Sequence, residues 1–147
     1  MHVAALLVAG SAKMDGGAID AMRIPTTSYA VDQIPLWLTI PVVLVVHAPA
    51  GGDYEPEIYV VCKDPRGERR GVIRSSWDWP DEDDKPSKYR CFTYDLSFAI
   101  EVDGEYTIGA YRDAEATDAV GAPIPLAINL AGSRATGNNG LGTGSIV

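Results

Sequence analysis

The sequence has few of the residues that carry most enzyme chemistry. It contains two histidines, His2 and His47, and two cysteines, Cys62 and Cys91, in 147 residues. Nucleophilic catalysis needs a base beside the nucleophile, and two histidines, one at a terminus and one closing an apolar run, offer little choice. Gly-x-Ser-x-Gly, Walker and dinucleotide-binding motifs are also missing from the sequence. We therefore predict that the protein is not an enzyme and uses no cofactor.

Long apolar stretches and excess positive charge are missing as well. No apolar run approaches the roughly 20 residues that a membrane helix needs. Twelve Lys and Arg stand against 20 Asp and Glu, a net charge of −8, which argues against binding nucleic acid through its phosphates. The apolar run 3–9 has no basic residue before it, which favours a first strand over a signal peptide. We expect a cytoplasmic or virion- or particle-associated protein with no membrane or nucleic-acid partner.

Two cysteines are too few for the disulfide frameworks that are typical of small secreted domains. Cys62 and Cys91 each lie in an apolar, strand-like run. We interpret both as buried thiols that pack as small hydrophobic residues. A bridge between neighbouring strands and a metal or redox role are the alternatives.

The patterns that are present indicate an all-β domain. Apolar residues at helical spacing are scarce, whereas β-branched and aromatic runs broken by Pro, Gly and Asp are common. We predict an antiparallel two-sheet sandwich of the immunoglobulin-like kind over residues 1–130, with seven to eight strands. The predicted strands cover residues 3–9, 18–29, 36–47, 57–63, 68–77, 89–100 in two pieces around Asp95, 106–112, and a segment within 122–130.

The segments between these strands have turn or loop composition. Residues 13–17 and Asp64-Pro65-Arg66-Gly67 predict turns, the second of them a hairpin. Residues 49–56 and 78–86 predict loops. Residues 131–147 contain five Gly and two Asn, which predicts a flexible tail that is disordered alone or ordered by a partner.

A tyrosine near the end of the chain supports the sandwich. Gly104-Glu105-Tyr106 is similar to the corner of immunoglobulin-like domains, where a Tyr entering a strand donates a hydrogen bond back to the preceding turn. We predict this contact for Tyr106.

A string of features resembles a family of small, uncharacterised bacterial β-sandwich proteins of unknown function. The shared features are an apolar first strand at 3–9, Gly16-Gly17, a long apolar strand at 36–46, the Asp64-Pro65-Arg66-Gly67 hairpin and Asp103-Gly104-Glu105-Tyr106. The resemblance covers about residues 2–130 and implies a β-sandwich without any catalytic residue to carry over. An acidic insertion around 78–86 and the Gly-rich tail depart from the pattern.

Two segments of opposite charge are candidate contact surfaces. The acidic segment holds Asp78, Asp81, Glu82, Asp83 and Asp84, beside Trp77 and Trp79. It can be a solvated loop, a docking site for a partner or a metal site, although the EF-hand pattern fails. The two Trp residues either form an exposed anchor or cap the end of the sandwich.

The basic segment holds five of the twelve basic residues. These residues are Lys63, Arg66, Arg69, Arg70 and Arg74. They either pair with the acidic loop of the same chain or contact that loop on the next copy in a head-to-tail assembly.

Taken together, these features predict a non-catalytic protein-binding sandwich. It would be an accessory or structural subunit of a larger assembly, one version of which is a phage or particle component, and it would bind a protein partner or itself. The alternative is a small-molecule or carbohydrate-binding sandwich, with Asp95 and Glu101 as a candidate acid–base pair. The predicted partner-binding residues are Trp77, Trp79, Asp81, Glu82, Asp83, Asp84, Arg66, Arg69 and Arg70.

Overall fold

The computed structural model describes residues 1–131, which form an all-β domain. The predicted tail lies outside the described residues from position 132 onwards. None of the described residues belongs to a helix long and apolar enough to span a membrane. The strands are β1 (His2–Val8), β2 (Ser11–Asp15), β3 (Ala18–Met22), β4 (Ser28–Val31), β5 (Leu36–Pro49), β6 (Glu57–Lys63), β7 (Arg69–Ser76), β8 (Ser87–Ile100), β9 (Gly104–Tyr111) and β10 (Ile124–Leu130).

The strands form two packed sheets and one separate hairpin. A three-stranded sheet has the order β1-β5-β8, and a five-stranded sheet has the order β4-β10-β9-β6-β7. The five-stranded sheet is curled into a half-barrel. The prediction of a purely antiparallel arrangement is wrong in one place, because β4 pairs parallel to β10.

The core lies between the two sheets and follows the period-two alternation of strand side chains. Along β5, the residues from Ile40 to Ala48 with even numbers are buried in this core. The facing sheet contributes, among others, Ile58, Val60, Tyr106 and Ile108. The odd-numbered residues of β5 therefore point to the outer side of the three-stranded sheet.

The strand count is ten in the described residues rather than seven to eight, because the segment 11–31 is divided further than predicted. Lys13 belongs to β2, and only Gly16 and Gly17 form the hairpin turn, with φ of 59° and 87°. The predicted strand 18–29 is two strands, because Pro25 has no N–H to donate and Arg23 has a left-handed backbone, φ 54°.

Several other predictions of strands and turns can be compared directly. The strand at 57–63 is confirmed as β6, and the hairpin turn is closed by a 2.9 Å bond from the Gly67 N–H to the Asp64 carbonyl. The predicted break at Asp95 is wrong: β8 pairs with β5 in unbroken register over its 14 residues. Asp95 causes no break because it is exposed on the outer side, opposite Pro41.

The predicted tyrosine corner is confirmed. The buried Tyr106 donates a 2.7 Å hydrogen bond from its hydroxyl to the carbonyl of Val102, four residues earlier. This bond anchors the turn between β8 and β9, and satisfies the phenol in the core.

The β2–β3 hairpin lies over the outer side of the three-stranded sheet. It follows β1 at one edge of that sheet, yet β2 approaches both β5 and β8, and β3 approaches β8. No residue of the hairpin belongs to the core cluster of the described residues. Val43, which points away from the core, is only 6% exposed. The doubly apolar run in β5 therefore reflects a strand covered on both faces over part of its length.

Candidate functional site

The acidic segment and the turn of the basic segment lie at opposite ends of the two packed sheets. The β6–β7 hairpin has Glu57 opposite Ser76 at the end near the acidic loop, and Lys63 opposite Arg69 at the other end. Seven residues of strand span roughly 20 Å. Lys63, Arg66, Arg69 and Arg70 therefore lie too far away to pair with the acidic loop of the same chain, and Arg74, which lies nearer to that loop, pairs with Glu57 instead. Opposite ends are the placement that a head-to-tail contact between copies requires.

The basic turn is organised around the buried carboxylate of Asp64. This carboxylate accepts 2.9 Å bonds from the N–H groups of Arg66 and Glu68 and a 3.1 Å bond from Arg70 Nε. Burial by itself would raise the pKa of Asp64, but the hydrogen bonds from Glu68, Arg70 and Arg66 lower it below the usual value. Arg70 also lies 3.1 Å from Glu101. Much of the basic charge is therefore neutralised within the turn.

The remaining basic side chains have intramolecular partners too. Arg69 donates to the carbonyl of Ala114, and Arg74 pairs with Glu57. Lys63 donates a 2.8 Å bond to the carbonyl of Ala116. The contacts of Lys63 and Arg69 fasten the loop after β9 to the outer side of the five-stranded sheet, whereas the Arg74–Glu57 pair joins β7 to β6.

In the acidic loop, Asp81 joins two loops at the end of the sandwich. Its carboxylate accepts bonds of 3.2 Å from the Gly51 N–H and 2.9 Å from the Tyr54 hydroxyl, and lies 3.2 Å from Lys88 Nζ. The Gly51 bond and then the Tyr54 bond lower the pKa of Asp81. Glu82 pairs with Lys85 at 3.0 Å, while Asp83 and Asp84 are exposed.

The two tryptophans cap this end from the inside. Trp79 is 2% exposed and Trp77 is half-buried, with ring centroids 5.6 Å apart. Trp77 also meets the ring of Phe92 edge-on, at 4.8 Å. The side chain of Trp79 therefore has almost no exposed surface that a partner could contact.

Lys88 is a buried cation that sequence patterns missed. It is 1% exposed, and its Nζ donates to the carbonyls of Gly52 at 2.7 Å and Trp79 at 2.6 Å, besides Asp81. The ammonium also lies 4.5 Å from the ring centroid of Tyr54. All three donors are therefore used, and the group ties the two end loops together.

The outer side of the three-stranded sheet has a different character. We define the outer face as the outward side chains of β1, β5 and β8, assigned from the strand registers and the core residues. Its members are His2, Ala5, Leu7, Trp37, Thr39, Pro41, Val43, Val45, His47, Pro49, Ser87, Tyr89, Cys91, Thr93, Asp95, Ser97 and Ala99. Asp95 is its one acidic or basic residue, apart from the histidines.

Three rings form a row across this face. His2 and His47 have ring centroids 5.3 Å apart, and His47 and Tyr89 have centroids 5.4 Å apart. Tyr89 is 58% exposed, and Trp37, towards the other end of the face, is 71% exposed. A signal for this row existed in the sequence, namely both histidines in apolar strands, but strand neighbours cannot be read from one sequence.

The two cysteines lie on different sides of the molecule. Cys62 is buried in the core, where burial raises the pKa of its thiol to about 12. Cys91 lies half-buried on the outer face, and both thiols are free. The interpretation as a buried thiol is confirmed for Cys62. It is wrong for Cys91, because this residue lies on the outer face and is only half-buried.

The candidate acid–base pair is not brought together. Asp95 lies in the middle of the outer face and Glu101 follows β8 at the end with the basic turn. Six residues of extended strand separate them by roughly 20 Å, well beyond the roughly 5–10 Å of paired carboxylates in glycosidases. Within residues 1–131, no three or more His, Cys, Asp or Glu side chains form a group that could hold a metal ion.

The sheet edges carry features that discourage pairing with another strand. In β1, a bulge interrupts the register between Val3 and Ala5, and the Thr26 N–H occupies the Val8 carbonyl. β4 has four residues, and β7 carries three arginines. At the edge of β8, Gly71 lies close to the Ser97 carbonyl.

The chain matches no protein-family model, no curated protein and no solved structure.

Proposed function

We propose that the protein is a non-catalytic protein-binding domain, an accessory or structural subunit of a larger assembly, that binds its partner through the outer face. The observation that carries the proposal is the neutrality of this face in a chain of net charge −8. The cores of protein interfaces are depleted in charged residues and enriched in aromatic ones. The two most exposed aromatic side chains of the described residues, Trp37 and Tyr89, both lie here.

The rest of the surface supports the same choice. Most charged side chains in the two end segments have partners within the chain. The sheet edges carry features that discourage pairing with another strand. A partner therefore meets the part of the outer face that the β2–β3 hairpin leaves exposed more readily than an open edge or a free charged loop. Of the partner-binding residues predicted from the sequence, six are exposed and can contribute a second contact: Asp81, Glu82, Asp83, Asp84, Arg66 and Arg69.

We also propose the immunoglobulin-like classification and membership of the bacterial β-sandwich family that the sequence resembles. Two observations support the classification: the Tyr106 corner at the start of the penultimate strand, and three strands packed against a sheet that contains the last two strands.

Photocrosslinking tests the proposed function. We would place benzoylphenylalanine at position 89 on the outer face and, as a matched control, at Val72, which is 42% exposed on β7 of the other sheet. In cells that produce the protein naturally, we expect a discrete adduct from position 89 that Trp37→Asp weakens. Adducts of the same pattern from both positions, or none from position 89, would contradict the proposal.

One feature favours the alternative of a small-molecule-binding sandwich. A cavity of about 320 Å³ lies between the end of β1 and β10, with Leu7, Val8, Pro25, Ile124 and Pro125 in its wall. This volume is at the lower limit for ligand sites, and the apolar lining suits a small apolar molecule better than a carbohydrate. Screening fragments by NMR would detect it, with chemical-shift changes confined to this wall as the supporting result.

A further inference from the structure

The two histidines of the chain meet on the outer face. They are the only histidines in 147 residues and are far apart in the sequence. The β1–β5 register nevertheless sets His2 directly opposite His47, with ring centroids 5.3 Å apart and ring planes at 32°. His2 is exposed and His47 is half-buried, so solvent reaches the pair.

The distance between the two ring centroids fits the binding of one metal ion by both imidazoles. An imidazole nitrogen binds Zn²⁺ at about 2.1 Å, which places the ring centroid about 3.2 Å from the metal. Two rings with centroids 5.3 Å apart then subtend about 110° at the ion, close to the tetrahedral angle. We propose that His2 and His47 form a two-histidine site for a late first-row divalent cation.

The residues around the two histidines favour a bound cation and leave its remaining coordination positions to water. Both histidines lie on adjacent, hydrogen-bonded strands. Metal binding therefore costs little conformational entropy. On β8, Tyr89 lies directly opposite His47 on this face, with Ser87 and Cys91 on either side of it, and the chain as a whole carries a charge of −8. Because no third ligand of the described residues completes the group, water fills the other positions. The general affinity order for nitrogen sites predicts the tightest binding for Cu²⁺, then Ni²⁺ and Zn²⁺.

Binding of Cu²⁺ to the untagged full chain tests this proposal. We would titrate Cu²⁺ by calorimetry and measure retention on an immobilised Cu²⁺–iminodiacetate column. His2→Gln and His47→Gln should each weaken binding about tenfold or more, because the second imidazole acts at a high effective concentration. The double variant should bind Cu²⁺ only slightly more weakly than either single variant. Such non-additivity is expected when both residues hold the same ion.

Three results would overturn the site. If His47→Gln leaves binding unchanged, the ion is held by the N-terminal amine and His2. If the two substitutions reduce binding additively, each imidazole acts alone. If the wild type binds no more tightly than the double variant, there is no histidine site. Asp53→Asn, which removes the 3.0 Å pairing of the terminal amine, is the control and should leave Cu²⁺ binding unchanged.

Discussion

Lys88→Met tests whether a buried ammonium group holds one end of the domain together. Methionine keeps a buried, unbranched stem and removes the three donors. The Trp79 carbonyl, bound at 2.6 Å in a buried residue, loses its partner, and the Gly52 carbonyl, bound at 2.7 Å in a half-buried residue, becomes dependent on water. The two loops are then still joined through Asp81, which retains Gly51 and Tyr54, and through backbone bonds from Trp79 to Tyr54 and from Ala50 to Pro86.

The magnitude follows from these contacts. A buried acceptor left without a partner costs about 1–3 kcal/mol, and this applies fully to Trp79 and in part to Gly52. Removing the charge relieves some of the desolvation that the lysine suffers in the folded state. We expect the free energy of unfolding to fall by about 2–3 kcal/mol. Lys88→Ala should lose about 2 kcal/mol more, because the three buried methylene groups beyond Cβ disappear as well.

Urea unfolding at pH 7, followed by tryptophan fluorescence, measures the effect. Lys85→Met is the matched control: this lysine is exposed and pairs only with Glu82 among the contacts of the loop, so the midpoint should stay at the wild-type value. The reasoning is refuted if Lys88→Met lies within about 0.5 kcal/mol of wild type, the range of ordinary surface substitutions.

Three further predictions concern other parts of the fold. Gly109→Ala should destabilise by about 1–3 kcal/mol in urea unfolding, because its Cβ would lie 2.7 Å from the ring of Tyr111; wild-type stability would show that the ring moves freely. Tyr106→Phe should cost about 1–2 kcal/mol through the loss of the Val102 bond, and an unchanged midpoint would argue against the corner as an anchor. Because the pKa of Asp64 is lowered in the fold, its stabilisation is full above the usual aspartate pKa and disappears as pH falls through the lower folded value. Asp64→Asn should therefore destabilise at pH 7, and the loss should shrink as the pH of the urea titration falls below the usual aspartate pKa. A loss that does not change with pH would exclude the ionic contribution.

Local patterns in the sequence determined the strand character of the chain. The run 57–63 alternates, and the turn after it carries Asp-Pro-Arg-Gly, so both could be predicted from neighbouring residues. The corner at Tyr106 is also local, since its hydroxyl reaches a carbonyl four residues away. The segment 11–31 was harder, because two glycines and Pro25 allow several divisions into strands and only their packing selects one.

The tertiary structure alone decided which residues meet. Lys88 and the two histidines have no distinctive local pattern, and their surroundings depend on strand neighbours that are far apart in the chain. The charges of the basic turn could be read as free for a partner, but strand order places Glu101 beside Arg70. The sequence alone allowed the Trp pair to face inward or outward. In the fold, the end loops cover Trp79, which is almost fully buried. Sequence periodicity sets which side of a strand is apolar, whereas sheet order and register set what that side contacts.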